Sequence, residues 1–532
     1  MTSHETAELN SYAILLKPGD DVAVAKQRIP AGTVLVLNGK ELPVETDVPA
    51  GHKFAVHGVA EGAPVLKYGQ IIGYATVNIG AGQHVHTRNL GFGAGKTGGA
   101  GSLELDYEYS TAIPAVEYYG ADKLRTFDGF KRADGRVGTR NYIALVSTVN
   151  CSASTVQAIA DKFRDPEILK EFPGVDGVIP YAHKGGCGQH LGGADYVQLQ
   201  RTLAGMADHP NVGGYLIAGL GCEVNQAMAL MQHGNLIRPE QIAAGRQAMP
   251  PVIVIQDEGG LRKAVNRGVE ETVKLLKQAS AARRTPQPIA NLIIGTNCGG
   301  SDGNSGITAN PALGAAGDEF VKHGAGWVLA ETSETYGAEH LLTRRAVTPE
   351  VGKKLVDLMR WWEWYTSMWG ASIDANPSPG NKEGGLTTIY EKSLGALSKG
   401  GSMPLVEVYK FAERIDKKGF TFMDTPGHDP VSVTGLAAGG CNLIVFTTGR
   451  GSCSGFKPSP ILKIATNSAL YNRMPEDMDI DAGVILDGVS IADLGLQIFE
   501  ELIAVASGKQ TKSEAQGLGE TEFAPWLLGP VM

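Results

Sequence analysis

Short apolar runs broken by turn residues open the chain. "YAILL", "DVAVA", "TVLVL", "HKFAVHGVA" and "PVLKYGQIIGYAT" follow one another with Pro-Gly, Pro-Ala-Gly, Asn-Gly and Glu-Gly turns every eight to twelve positions. That spacing predicts a small all-β unit over residues 1–90. "GFGAGKTGGAGS" and the acidic "LELDYEY" come next and suit neither regular element, so 91–126 reads as a flexible linker. Its "GAGKTGGAG" lacks the G-x-x-x-x-G-K-[ST] spacing, and no strand leads into it, which speaks against a phosphate loop.

From Phe127 the rhythm becomes apolar strand, loop, helix. "YIALVSTV", "GVIPYA", "GYLIAGLG", "VIVIQ", "NLIIGT", "GWVLA", "MPLVEVY", "NLIVFTTG" and "LKIATN" are continuous apolar runs, several followed by amphipathic stretches. In one of these Leu261, Val265, Val269, Val273 and Leu276 share a helical face. Unbroken apolar strands alternating with helices predict parallel sheets covered on both sides. The Pro- and Arg-rich "AARRTPQP" divides them into α/β units at 127–284 and 285–532.

Composition narrows the class. A chain of 532 residues, 43% hydrophobic and 19% charged, is an ordinary globular multidomain protein. The net charge of −9 argues against nucleic acid or an anionic membrane as partner. No run of eighteen apolar residues occurs, and "MTSHETAELN" lacks signal-peptide character, so the expected setting is the cytoplasm. Six cysteines in so long a chain are not a disulfide framework, and no C-x₂-C pair exists to build a structural zinc site.

The chemistry concentrates just past the strands, where ligands of open parallel sheets bind. Asn150 and Cys151, His183, Lys184 and Cys187, Cys222 and Glu223 follow three strands. Asn297, Cys298 and Asp302, then Glu331 and Glu334, then Thr447, Thr448 and Arg450 follow others. The Asp302, Glu331 and Glu334 carboxylates suit one divalent ion helped by a Cys or His, or else cap helix N-termini. An iron–sulfur cluster on Cys151, Cys187, Cys222 and Cys298 is the alternative metal reading. In the β unit, "GHK" supplies His52 and Lys53, and "HVH" places His84 and His86 on one face of an extended segment. "DANPSPGNKEGG" projects Asn376, Asn381 and Lys382 from a turn-rich loop.

"GHKFAV", "KYGQIIGYA" and "HVH" together resemble the SAF (β-clip) domain, and "GLGCE", "CGGSDGNSGITANP", "NPSPGNKEGG", "EKSLG" and "TTGRG" resemble the altronate/galactarate dehydratase family over essentially the whole chain. The resemblance implies a sugar-acid dehydratase. Water leaves C2–C3 of an aldonate or aldarate, and the enol tautomerises to a 2-keto-3-deoxy acid. It further implies Fe²⁺, with Mn²⁺ able to substitute, a homodimer, and a Rossmann-like C-terminal domain carrying the metal. Removal of a proton α to a carboxylate needs an electrophile, a base and an acid. Cys298, Asp302, Glu331 and His86 are the candidate ligands. His52, Lys53 and Lys382 are the candidates for base, acid and carboxylate clamp. Arg140, Asn141, Ser301, Asn310, Asn381, Thr448 and Arg450 are expected to line the substrate site. After "TTGRG" the chain reads "SCSGFKPSP", where the altronate and galactarate enzymes have Thr-Pro-Tyr-Gly, so the substrate stays open between an altronate-type aldonate and galactarate. A sulfolactate-type lyase, a non-catalytic sugar-acid binding protein and an NAD-type oxidoreductase are the other classes. The last lacks its G-x-G-x-x-G after the first strand.

Overall fold

The structure is a computed structural model, and it describes residues 6–93, 115–237 and 249–529. The glycine-rich stretch read as a linker lies mostly outside the described residues.

Residues 6–93 form the expected β unit, built from small sheets. Its hairpins are set by turn chemistry. Asn38 and Gly39 take positive φ (51° and 76°) between the strands Val34–Leu37 and Lys40–Pro43, the backbone shape a two-residue hairpin requires. Tyr68 and Gly69 do the same between Pro64–Lys67 and Gln70–Ala75, with φ of 63° and 71°. There the Asp20 carboxylate accepts from both turn amides, at 3.0 and 2.7 Å, which holds a tyrosine where asparagine or glycine is usual.

The second domain is a four-stranded parallel sheet in the order Gly177–Tyr181, Tyr142–Ser147, Val212–Gly219, Val252–Val254. The helix Leu261–Ala279 packs on it, but the buried line is Ala264, Gly268, Thr272, Leu276 and Ala279. Val265, Val269 and Val273 flank this line and Leu261 is exposed, because small residues let the helix approach more closely than the valines would. "AARRTPQP" is not a bare connection. Arg284–Pro288 is a strand paired antiparallel with Thr126–Lys131, so the two ends of the second domain are tied together.

The C-terminal domain centres on seven parallel strands, ordered Leu405–Tyr409, Gly419–Met423, Gly326–Leu329, Ile293–Cys298, Leu443–Thr448, Ile461–Ala465 and Ile480–Asp481. Gly419–Met423 went unread in the sequence because its short apolar run follows the charged "ERIDKK". Chain order reverses beside the first strand, Ile293–Cys298. The loops after it and after its neighbours therefore splay apart and leave a crevice at Cys298.

Candidate functional site

Cys298 ends the central strand of the C-terminal sheet, and Glu331 follows the neighbouring strand Gly326–Leu329. Glu331 is fully buried, and its backbone sits in the left-handed region at φ 71°, an unfavourable place for a glutamate. That conformation turns its carboxylate back onto Cys298, whose N–H donates to Oε2 at 2.8 Å. Lys399 Nζ also reaches Oε2, at 2.5 Å. Oε1 is buried without a hydrogen-bond partner. Glu334, one short turn on, accepts from Lys392 Nζ at 2.7 Å and Asn376 Nδ2 at 2.9 Å through Oε1, while the Cys298 thiol donates to Oε2 at 3.4 Å.

Cys298, Glu331 and Glu334 bring their donor atoms within 4.8 Å of one another, and among the described residues they are the group so arranged. A metal fits here on structural grounds. One carboxylate oxygen is orphaned in the interior, two carboxylates and a sulfur converge, and such a mixed set suits a first-row divalent ion. Without an ion, burial and Glu331 push the Cys298 thiol well up, and burial raises Glu331. Burial acts on Glu334 in the same sense, but Lys392 and then Lys399 outweigh it and hold that carboxyl low.

The group opens into a cavity of 260 Å³ whose wall includes Cys298, Glu334, Asn376, Asn381, Lys392 and Asp429. Asp429 accepts from Asn297 Nδ2 at 3.2 Å and has no ion-pair partner among the described residues. Burial, Glu331 and Glu334 raise its carboxyl to about 7.

Asp302 and His86 do not join the donor group. Asp302 is a buried hub that accepts from Thr466, Ser305, Asn467 and the Asn304 amide, and it lies on a second cavity of 490 Å³ with Lys26, Glu383, Arg450 and Arg473. His86 belongs to a cluster with His52 and His84, ring centroids 5.1 to 5.4 Å apart, at the face where the β unit meets the C-terminal domain. The donor order in this cluster is fixed by its ends. Glu383 O can only accept, so His52 Nε2 donates to it at 3.0 Å. His52 Nδ1 then accepts from His84 Nε2 at 3.0 Å, and His84 Nδ1 accepts from Arg88 at 3.0 Å. His86 Nε2 donates to Lys382 O at 2.8 Å. Burial lowers His52 to about 4 and His84 to about 3, so both are neutral.

Lys53 is placed beside this cluster but is 1% exposed, with its ammonium on Glu391 at 2.8 Å and Gly385 O at 3.0 Å. Lys67 takes the other Glu391 oxygen at 3.0 Å. The Lys382 side chain is half-buried, with no ion pair among the described residues. Asn381 lines the cavity and donates to Ser301 O at 2.9 Å. Asn310 is spent internally, on Thr447 and Gly395 O, and Thr448 Oγ1 receives the Gly451 amide. Arg450 pairs with Glu383 at 3.2 Å on the rim of the second cavity. Arg140 and Asn141 are not brought to either cavity. Arg140 is buried on Glu514, and Asn141 on Gly174 O and Ala279 O, at the end of the strand Tyr142–Ser147 opposite its carboxyl end. Cys298 belongs to the group with Glu331 and Glu334, whereas Cys151, Cys187 and Cys222 stand beyond strands of the second domain's sheet.

Lys392, Lys399, Glu391 and Asp429 escaped the sequence reading. The signal was there for three of them. "IYEKSLGALSK" is an apolar helix interrupted by charges, and Lys392 and Lys399, seven residues apart, share one face.

Three family models tile the chain. The altronate/galactarate dehydratase SAF domain matches residues 11–92, the second domain of D-galactarate dehydratase/altronate hydrolase matches 129–280, and the C-terminal D-galactarate/altronate dehydratase model matches 289–531. The chain belongs to the altronate/galactarate dehydratase family, whose dehydratases are hydro-lyases. It is 36% identical to the altronate dehydratase of Escherichia coli (strain K12) over 94% of this chain and 96% of that one. To the altronate dehydratase of Bacillus subtilis (strain 168) it is 35% identical, again over 94% and 96%. To the galactarate dehydratase (L-threo-forming) of E. coli (strain K12) it is 36% identical over 91% of each chain.

Proposed function

We propose that this chain is a hydro-lyase that removes water from an altronate-type aldonate to give a 2-keto-3-deoxy acid. The observation that carries the reading is the Cys298, Glu331 and Glu334 group, with its orphaned Glu331 oxygen, at the end of a polar cavity. Cys298, Glu331 and Glu334 would hold the ion, Fe²⁺ or Mn²⁺, which when bound polarises a substrate oxygen as a Lewis acid. Lys399 and Lys392 neutralise the two glutamates and keep them aimed. Lys382, on the short helix Pro379–Glu383 within the loop whose Asn376 and Asn381 line the cavity, clamps the substrate carboxylate. His52 and Lys53 act by fastening the β unit over that loop rather than by touching the substrate. We read the C-terminal layering as Rossmann-like, since chain order reverses beside the first strand. A cytoplasmic homodimer joined through the second domain completes the reading. The family resemblance carries these last points.

Galactarate is the second reading. Lys26, Arg450 and Arg473 on the second cavity are cations that a far carboxylate could use. A panel of aldonates and aldarates, assayed anaerobically with Fe²⁺ or Mn²⁺ for 2-keto-3-deoxy product, tests both. Altronate is expected to be the best substrate, and exhaustive chelation to abolish turnover until the ion is restored. A strong preference for galactarate would reverse the order, and full activity after chelation would remove the metal from the account.

Asp429 supplies a proton in this scheme. Burial and then Glu331 and Glu334 raise its carboxyl to about 7 in the ion-free site, and from the cavity wall it can give a proton to the departing hydroxyl. Turnover should therefore fall on the alkaline side as Asp429 loses its proton, at a lower pH in the loaded enzyme because a bound cation offsets the Glu331 and Glu334 charges. In Asp429→Asn, kcat should drop by about a hundredfold or more and this limb of the pH profile should vanish. An unchanged profile in the variant would assign the limb to another group.

A further inference from the structure

Three cysteines of the second domain stand at one end of one sheet. The strands Gly177–Tyr181, Tyr142–Ser147 and Val212–Gly219 are parallel neighbours, and Ser147 is in register with Ala218. Cys151 lies four residues beyond Ser147 and Cys222 four beyond Ala218, so two thiols leave adjacent strands at the same level. Cys187 follows the third strand, on a loop that folds over the end of the middle one. Gly185 O accepts from Asn150 N at 3.0 Å, and Gly186 O accepts from Asn225 N at 3.1 Å. Asn225 Nδ2 in turn donates to Thr148 O at 2.8 Å. Gly186, at φ 97°, lies so close to Thr148 O that any Cβ would overlap it. The three loops are thus bound to one another within one to three residues of each thiol.

All three thiols are exposed, whereas Cys298 and Cys441 are buried. Gln256 Nε2 lies 3.5 Å from the Cys222 sulfur, the kind of polar contact that tunes a metal-bound thiolate. The three sulfurs are not within 4.8 Å of one another. A single tetrahedral ion, with metal–sulfur bonds of about 2.3 Å, needs a tighter set. A multinuclear centre, with each thiolate on its own iron, takes a wider one.

We propose that Cys151, Cys187 and Cys222 are the protein ligands of an iron–sulfur cluster in the second domain, separate from the Cys298 group. Three thiolates leave one iron without a protein sulfur, open to an oxygen donor from solvent or a small molecule. Binding displaces the three thiol protons and requires no electron transfer by the protein.

The test uses the full chain, purified anaerobically and also reconstituted with equal amounts of Fe²⁺ and Fe³⁺ and with sulfide, so that assembly needs no further oxidant. The expected result is about four acid-labile sulfide per chain, and about four iron beyond any ion in the Cys298 group, with the broad visible absorption of such clusters. Cys151→Ser, Cys187→Ser and Cys222→Ser should each lose more than half of the sulfide, while Cys298→Ser keeps it. Because a variant could fail to fold, the loaded wild-type protein is also alkylated. Mass spectrometry should find these three cysteines protected, and alkylated once the cluster is removed. Absence of sulfide after reconstitution, a single ion without sulfide, or loss of the cluster in Cys298→Ser but not in Cys187→Ser would each overturn the proposal. None of these readouts depends on turnover, so they stand or fall apart from the sugar-acid reading.

Discussion

Glu334→Gln is expected to lower turnover by about a thousandfold while the protein stays folded. The substitution keeps the size of the side chain and an oxygen for Asn376, but it removes the charge facing Cys298 and Lys392. Lys392, which is 6% exposed, is then left with neutral acceptors, the glutamine oxygen in place of Glu334 Oε1 and the Asn376 and Asn381 amide oxygens at 2.9 and 3.4 Å. A positive charge unbalanced in the cavity opposes any cation, so bound metal should fall together with activity. Metal analysis after equilibrium dialysis, beside a melting curve, separates this from simple unfolding. Retention of both metal and turnover would mean that Glu334 only braces Lys392.

Glu391→Gln should cost stability rather than chemistry, by about 3–5 kcal/mol. The Glu391 carboxylate lies between Lys53 and Lys67, all three about 1% exposed, and it also accepts from the Thr387 hydroxyl at 2.7 Å. Without its charge two ammonium groups remain buried at the face between the β unit and the C-terminal domain. Burial alone would raise the Glu391 carboxyl, but the two lysines hold it at about 2, below its ordinary 4.5. Its contribution is thus complete above pH 4.5 and lost as pH falls toward 2. Melting curves across that range should show a loss in the wild type that Glu391→Gln lacks. Parallel curves would place the acid sensitivity elsewhere.

What the sequence made legible follows its periodicities. The β unit announced itself through Asn38-Gly39 and its other turns, and the parallel strands through unbroken apolar runs. Cys298 and Glu331 could be read because both directly follow such runs. Lys392 and Lys399 could not be tied to Glu334 and Glu331, because those pairings span 58 and 68 residues and depend on where one helix docks. Arg140 and Asn141 misled for the opposite reason. They precede their strand, and polar residues at that end brace domains together. Asp302 follows the right strand, but its own loop closes back on it through Ser305 and Asn304.

The segment 376–383 has two sets of contacts. Asn376 and Asn381 line the cavity, while the carbonyls of Lys382 and Glu383 receive His86 and His52 from the β unit. Occupancy of the cavity and seating of the β unit are therefore two equilibria that share one piece of backbone. Thermodynamic linkage makes their coupling reciprocal: a ligand that favours the seated form by some factor is itself bound more tightly by the same factor when the unit is seated.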